Sequence, residues 1–196
     1  MKRLGIYFFF DKDGIVDKYV DYVLEDLTKH VDKLIVVCNG QLNEQGRKTF
    51  EKFTGNIIVR ENKGFDVWAY KTAIDSEGWN KLIEYDEIIL MNYTIMGPVY
   101  PLKEMFDIMD KRLELDFWGI TKCFQENSPV AQQIWQCPYG YIPEHIQSSF
   151  MAFRRSIVSS AVFQKYWDEM PMIKSYYESG GSHEQYITKY FSDNGY

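Results

Sequence analysis

The sequence is poor in the residues that build metal clusters and disulfide frameworks: among its 196 residues are three cysteines and three histidines. Cys38, Cys123 and Cys137 are odd in number and show no metal-type spacing, so they read as the reduced thiols of a cytoplasmic protein. Positive charge is also scarce, with 22 basic against 28 acidic side chains and a net charge of −6. No segment gathers the lysines and arginines into a stripe, which excludes a nucleic acid polymer as partner. No apolar run approaches a membrane span, and Leu4 to Phe10 behind Met1-Lys2-Arg3 is too short for a signal peptide. The expected location is the cytoplasm, with peripheral association at the inner face of the membrane left open. A P-loop, a dinucleotide fingerprint, internal repeats and low-complexity tracts are all missing.

What the sequence does contain is apolar residues in short, punctuated runs. Hydrophobic residues make up 45% and aromatic residues 17%, a high aromatic share that serves cores and also the stacking of flat ligands. Leu4 to Phe10, bounded by Asp11-Lys12-Asp13-Gly14, reads as a buried strand and a turn. Val16, Tyr19, Val20, Val23, Leu24, Leu27 and Val31 then recur at helical spacing, with Asp13 as the expected cap. Further strands are expected at Leu34 to Cys38, Ile57 to Val59, Ile88 to Met91, Asp116 to Thr121 and Ser148 to Phe153. Helices are expected at Asn43 to Phe53, Asp66 to Ile74, Pro101 to Arg112 and Ser156 to Trp167, with a turn at Gly97-Pro98. A last short helix, Ser182 to Phe191, is expected to be capped by Ser182 after a flexible Gly180-Gly181. From Lys122 to Glu144 the pattern is lost to a polar, aromatic loop punctuated by Pro129, Pro138, Gly140 and Pro143, as in a lid or binding wall.

Strands alternating with helices imply a mainly parallel sheet covered on both faces, and such sheets bind ligands beyond their carboxyl ends. The polar residues that end the runs are therefore the candidates: Asp11, Asn39, Asn62, Asn92 and Thr121. In Arg60-Glu61-Asn62-Lys63-Gly64-Phe65-Asp66, the glycine allows close backbone approach and Lys63 supplies positive charge, which suits a phosphate over a helix start. A plain turn at Gly64 with Asp66 as a cap explains the same residues. Asn92 and Thr94 can hydrogen-bond a phosphate or sugar, or simply shape the turn before Gly97-Pro98. Glu184 can serve as a general base or as a partner of the helix dipole. Gln147 and Ser148 either face a sugar or satisfy a strand edge, and His145 and His183 lack the spacing of metal ligands.

Four segments, RENKGFDVWAYKTAI (60–74), DEIILMNYTIMGPVYPL (86–102), DFWGIT (116–121) and HIQSSFMAFRRSIV (145–158), taken with the closing SHEQYITKYFSDNGY, resemble the rhamnan synthesis protein F family of bacterial glycosyltransferases. The resemblance implies an α/β, GT-A like, Rossmann-like three-layer fold over residues 1–196. That would be one glycosyltransferase-like domain whose terminal Asn194-Gly195 turn leads towards further structure. It implies inverting transfer of a deoxysugar such as rhamnose from a thymidine-diphosphate donor (dTDP-rhamnose) to a growing surface glycan or lipid-linked acceptor. Glu184 would be the base; Asp11, Asn39, Asn62, Lys63, Gly64 and Asp66 would line the nucleotide side. Asn92 and Thr94 would lie beside the diphosphate and sugar, and Gln147, Ser148 and His183 would meet the acceptor or sugar. The family implies Mg2+ or Mn2+, yet where its pattern reads Asn-Asp-Ser this chain has Asn92-Tyr93-Thr94, without the carboxylate a hard cation prefers. That exchange keeps a second reading in play, a catalytically weak nucleotide-sugar-binding domain within an assembly complex. A third, a flavodoxin-like or receiver-like domain, shares only the alternation of elements.

Overall fold

The computed structural model describes residues 1–196. The first half alternates as expected: β1 (Arg3–Phe10), α1 (Lys18–Leu27), β2 (Lys33–Asn39), α2 (Glu44–Glu51), β3 (Ile57–Arg60), α3 (Phe65–Glu77), α4 (Trp79–Leu82), β4 (Glu87–Asn92) and α5 (Leu102–Met109). The second half is more broken. It runs β5 (Phe117–Gly119), β6 (Lys122–Cys123), α6 (Pro129–Trp135), β7 (His145–Ile146), β8 (Phe150–Arg154), α7 (Arg155–Val158) and α8 (Ala161–Asp168). The chain closes with α9 (Tyr176–Ser179), a π-helical turn (Gly180–Glu184) and α10 (Gln185–Asp193).

Six strands form one sheet in the order β3-β2-β1-β4-β8-β5. β1 to β4 are parallel, whereas β8 runs antiparallel to both β4 and β5. The side chains of each central strand alternate between two cores, which is why these strands read as unbroken apolar runs. Leu4, Ile6 and Phe8 of β1 join Val67, Tyr70, Phe163 and Phe191 on one face. Tyr7 and Phe9 join Val20, Leu24, Phe50 and Phe106 on the other. The result is the α/β three-layer, GT-A like arrangement that the resemblance implies, with β8 as the one strand that runs against the other five. No helix is long and apolar enough to cross a membrane.

Several local expectations are corrected. Asp13 does not cap α1; Asp17 occupies the cap position without a side-chain bond. The backbone turns on Asp11, whose Oδ1 accepts from the amides of Asp13 and Ile15 at 2.9 and 2.8 Å. The Lys122 to Glu144 segment contains α6, and its two ends enter the small antiparallel pair β6–β7. The helix from Ser156 divides because Ser160 caps α8, accepting from the Phe163 amide at 3.1 Å. Ser182 caps nothing, for it lies inside the π-helical turn that joins α9 to α10.

At the amino edge of the sheet, charge is buried and matched. Glu87 is fully buried and accepts from Arg3 Nε at 2.7 Å and from the Trp118 indole at 2.7 Å, with Arg154 Nη1 at 3.1 Å. Arg3 also pairs with Asp110, so two guanidinium groups meet two carboxylates. Removing one member leaves buried charge uncompensated, which costs about 3–5 kcal/mol. Glu87→Ala is expected to lower unfolding free energy by about that amount in urea titration with an unchanged slope; a loss under about 1 kcal/mol would contradict this role.

Candidate functional site

A cavity of about 660 Å³ opens at the opposite, carboxyl edge. The topology explains what reaches it. Parallel strands β1 and β4 end there with Phe8, Phe10 and Asn92, and antiparallel β8 begins there, preceded by Gln147 and Ser148. α3 contributes Asp66 and the π-helical turn contributes Glu184.

Asp66 reaches the cavity through a forced reversal of the chain. Gly64 and Phe65 both adopt left-handed backbone angles, φ 76° and 55°. A Cβ on Gly64 would fall 2.5 Å from the Trp68 side chain, so glycine is required here. Arg60 clamps the reversal, donating from Nη1 to Asn39 Oδ1 at 2.7 Å and to the Lys63 carbonyl at 2.8 Å. Asn39 Nδ2 in turn donates to the Phe65 carbonyl at 3.0 Å.

Ser148 ties the two carboxylates together. Its backbone N–H and its hydroxyl both donate to Glu184 Oε2, at 2.9 and 2.8 Å. The hydroxyl is also 3.5 Å from Asp66 Oδ2, but its single proton belongs to the shorter bond. Asp66 is left with longer contacts, from Asn92 Nδ2 at 3.4 Å and Ser179 Oγ at 3.3 Å, besides the Val67 amide at 3.0 Å. Asn92 is oriented by Thr94, whose amide and hydroxyl both donate to its Oδ1. Burial pushes the Asp66 carboxyl above its ordinary range, and the nearby Glu184 charge adds to this, while the hydrogen bonds from Asn92, Val67 and Ser179 act the other way. No lysine or arginine lines the cavity. Two carboxylates therefore share one cavity with no cationic side chain.

Asn62, Asp66, Asn92, Thr94, Gln147, Ser148 and Glu184 all line this cavity, with Thr121 beside them. Five sequence candidates do not. Asp11 is spent on its own turn, and Asn39 is fully buried between Arg60 and Phe65. Lys63 pairs with Glu61 at 2.8 Å and lines, with Gly64, a neighbouring depression of about 380 Å³ that shares Asn62 and Phe65 with the main cavity. His183 points into the core, where Tyr166 Oη lies 2.7 Å from its Nδ1 and burial drops its pKa to about 3. It stays neutral and out of reach of a substrate. Trp135, Tyr176 and Ser179 line the cavity and were missed. The glycine pair was the available signal for Trp135: a Cβ on Gly180 would fall 2.4 Å from its ring, and one on Gly181 would fall 1.7 Å from its carbonyl oxygen. Gly180-Gly181 is thus a seat for Trp135, not a flexible hinge.

The model of the family described as Rhamnan synthesis protein F matches residues 34–196. This chain belongs to that family. Membership sets aside the flavodoxin-like and receiver-like readings. Uncharacterized protein y4gN of Sinorhizobium fredii (strain NBRC 101917 / NGR234) is 23% identical over 150 residues, which cover 76% of this chain and 35% of that protein. Glucosyl-3-phosphoglycerate synthase of Mycobacterium tuberculosis, solved with uridine diphosphate, is similar with a TM-score of 0.47 and 12% identity, covering 80% of this chain and 57% of that one. Core-mannan synthase A of Aspergillus fumigatus, in its Mn/GDP form, gives a TM-score of 0.42 and 10% identity, covering 86% and 63%. The chain spans about a third of the curated relative's length and less than two thirds of either enzyme's.

Within this member of the rhamnan synthesis protein F family, Tyr93 lines the cavity and packs against its floor. Its ring meets Phe8 and Phe9 edge-on at 5.7 and 5.8 Å, and its carbonyl accepts from Tyr19 Oη at 2.9 Å. The acidic groups of the cavity come from α3 and the π-helical turn instead. A carboxyl whose folded pKa is raised contributes stability that is present below its unfolded pKa and lost as pH rises through the folded value. Asp66→Asn is accordingly expected to raise the melting temperature by a few degrees around pH 7 in metal-free buffer. The gain should disappear below about pH 3, where the carboxyl is protonated in the folded and the unfolded chain alike; a gain constant across that range in thermal unfolding would contradict it.

Proposed function

We propose that this chain carries the donor-binding and catalytic core of an inverting glycosyltransferase. It moves a deoxysugar of the rhamnose type from a nucleoside diphosphate, dTDP-rhamnose first among them, to a growing surface glycan or lipid-linked acceptor at the cytoplasmic face of the membrane. Family membership supports the reaction class. The observation that carries the reading is the convergence of Asn62, Asp66, Asn92, Ser148 and Glu184, remote along the chain, on one cavity at the carboxyl edge.

Glu184 suits a general base. Ser148 fixes one of its oxygens with two hydrogen bonds, and the other makes none with the protein. In a single displacement the acceptor hydroxyl gives its proton to Glu184 as its oxygen bonds to the anomeric carbon. The bond from that carbon to the diphosphate breaks, its electron pair leaves with the phosphate oxygen, and the anomeric configuration inverts. Asn62, Thr94 and Gln147 are placed to hydrogen-bond phosphate or sugar hydroxyls.

The departing diphosphate needs positive charge, and no side chain of the cavity provides it. The oxygen-rich lining and the unmatched carboxylates fit a hard divalent cation. They form no cage of three acidic, imidazole or thiol ligands, as is usual for Mg2+ held mainly by substrate phosphates and water. Asp66 with Asn92 would hold Mg2+ or Mn2+, which when bound supplies charge neutralisation to the leaving group.

Tyr93 in place of an acidic residue favours a second reading, a nucleotide-sugar-binding domain with little or no turnover. Glu184→Gln separates the two in a transfer assay paired with calorimetry. For an enzyme, kcat should fall roughly 10²–10⁴-fold while donor affinity stays within about twofold. Donor binding without turnover in the unaltered protein supports the second reading. Absence of binding by every thymidine or uridine diphosphate sugar, with or without divalent metal, contradicts both.

A further inference from the structure

The donor chemistry leaves one wall of the cavity unexplained. Trp135, the last residue of α6, and Tyr176, the first of α9, both line it. Their rings lie 5.7 Å apart at 58°, and Tyr177 braces Trp135 in an edge-on contact at 5.5 Å. Trp135 is held in place by the absence of side chains beneath it, since a Cβ on Gly180 would strike its ring and one on Gly181 its backbone. Gly180 seats the ring and Gly181 the backbone that carries it, so the ring is positioned before any ligand arrives. Tyr176 by contrast is 65% exposed, so its ring is available to a ligand rather than spent in the core.

The seat belongs to the segment that carries the proposed base. Gly180 and Gly181 open the π-helical turn that ends at Glu184, so the aromatic wall and the carboxylate are positioned by one piece of backbone. π-turns of this kind recur at functional sites because the extra residue re-aims the side chains that follow. A pyranose ring has an apolar C–H face that stacks on aromatic rings and a rim of hydroxyls that seeks hydrogen bonds. Here flat rings and a proton acceptor bound the same cavity. Resting on the glycosyltransferase reading, we infer that Trp135 and Tyr176 form a stacking platform for a pyranose ring of the acceptor glycan, presenting its hydroxyl towards Glu184. The nucleoside belongs instead with Phe10, Asn62 and Phe65, which line the cavity from the ends of β1 and β3 and the start of α3.

The test titrates the unaltered protein, Tyr176→Ala, Trp135→Ala and Trp135→Phe with methyl rhamnoside, methyl glucoside and, separately, dTDP, followed by ligand-detected NMR. Affinity for at least one glycoside is expected to fall roughly tenfold in each alanine variant, the scale of a lost aromatic stack. It should be largely kept in Trp135→Phe, and dTDP affinity should stay within about twofold throughout. Should Trp135→Ala fail to fold, Tyr176→Ala decides, because its side chain is mostly in solvent. The inference is overturned by glycoside affinity unchanged in the alanine variants, by no glycoside binding to the unaltered protein, or by a parallel loss of dTDP affinity that would give the platform to the base. If dTDP fails to bind the unaltered protein while the glycoside loss is seen, the donor reading falls and the platform stands.

Discussion

Ser148 holds Glu184 against the strand edge with two hydrogen bonds, and the rest of the cavity follows from that contact. It fixes the carboxyl-terminal helical segment over the sheet and brings Glu184 close enough for its charge to raise the pKa of Asp66. A second bond, from the Ile146 amide to Thr188 Oγ1 at 3.0 Å, ties α10 to the same approach to β8. The cost is electrostatic. Two acidic groups share one cavity in which the compensation is hydrogen bonding from Val67, Asn92, Ser148 and Ser179. Proteins keep such uncompensated charge where it serves a ligand.

The contrast with the other rim of the same sheet makes the point sharper. At the amino edge Glu87 is fully buried, yet two arginines and an indole N–H satisfy it, and Asp110 completes the balance. That cluster locks β1, β4 and β8 together with its charges balanced, and only Arg154 Nε is left without a partner. At the carboxyl edge the carboxylates lack cations, and the lining mixes polar side chains with aromatic rings. One sheet thus carries a charge-balanced cluster at one end and an unbalanced one at the other. Under the proposed glycosyltransferase reading, the unbalanced end is where an anionic sugar donor accompanied by a metal ion, and a neutral glycan, would find complementary groups.

Much of this was legible in the chain. Continuous apolar runs marked β1, β2 and β4, because strands buried on both faces tolerate nothing else. The residues ending three of the runs, Asn62, Asn92 and Thr121, do line the cavity. Asn39 ends a run as well, but Arg60 and the Phe65 carbonyl consume its side chain, a demand created only when β3 pairs with β2. His183 is adjacent to Glu184 in sequence, yet neighbouring residues of a helix face different ways, so one meets the cavity and the other the Tyr166 core. The glycine pair looked like slack because its partner, Trp135, lies more than forty residues away and announces itself only through close packing. The antiparallel course of β8 was equally hidden, since an apolar run carries no direction.

The claim that one acidic, cation-free cavity receives a nucleoside diphosphate together with a metal ion is tested most directly by paramagnetic NMR of the labelled chain with Mn2+ and dTDP. The account predicts that the amide signals of Asn62, Asp66, Asn92, Ser148 and Glu184 broaden together when both are present, and much less with Mn2+ alone. Broadening confined to surface acids, or unchanged when dTDP is added, would contradict it.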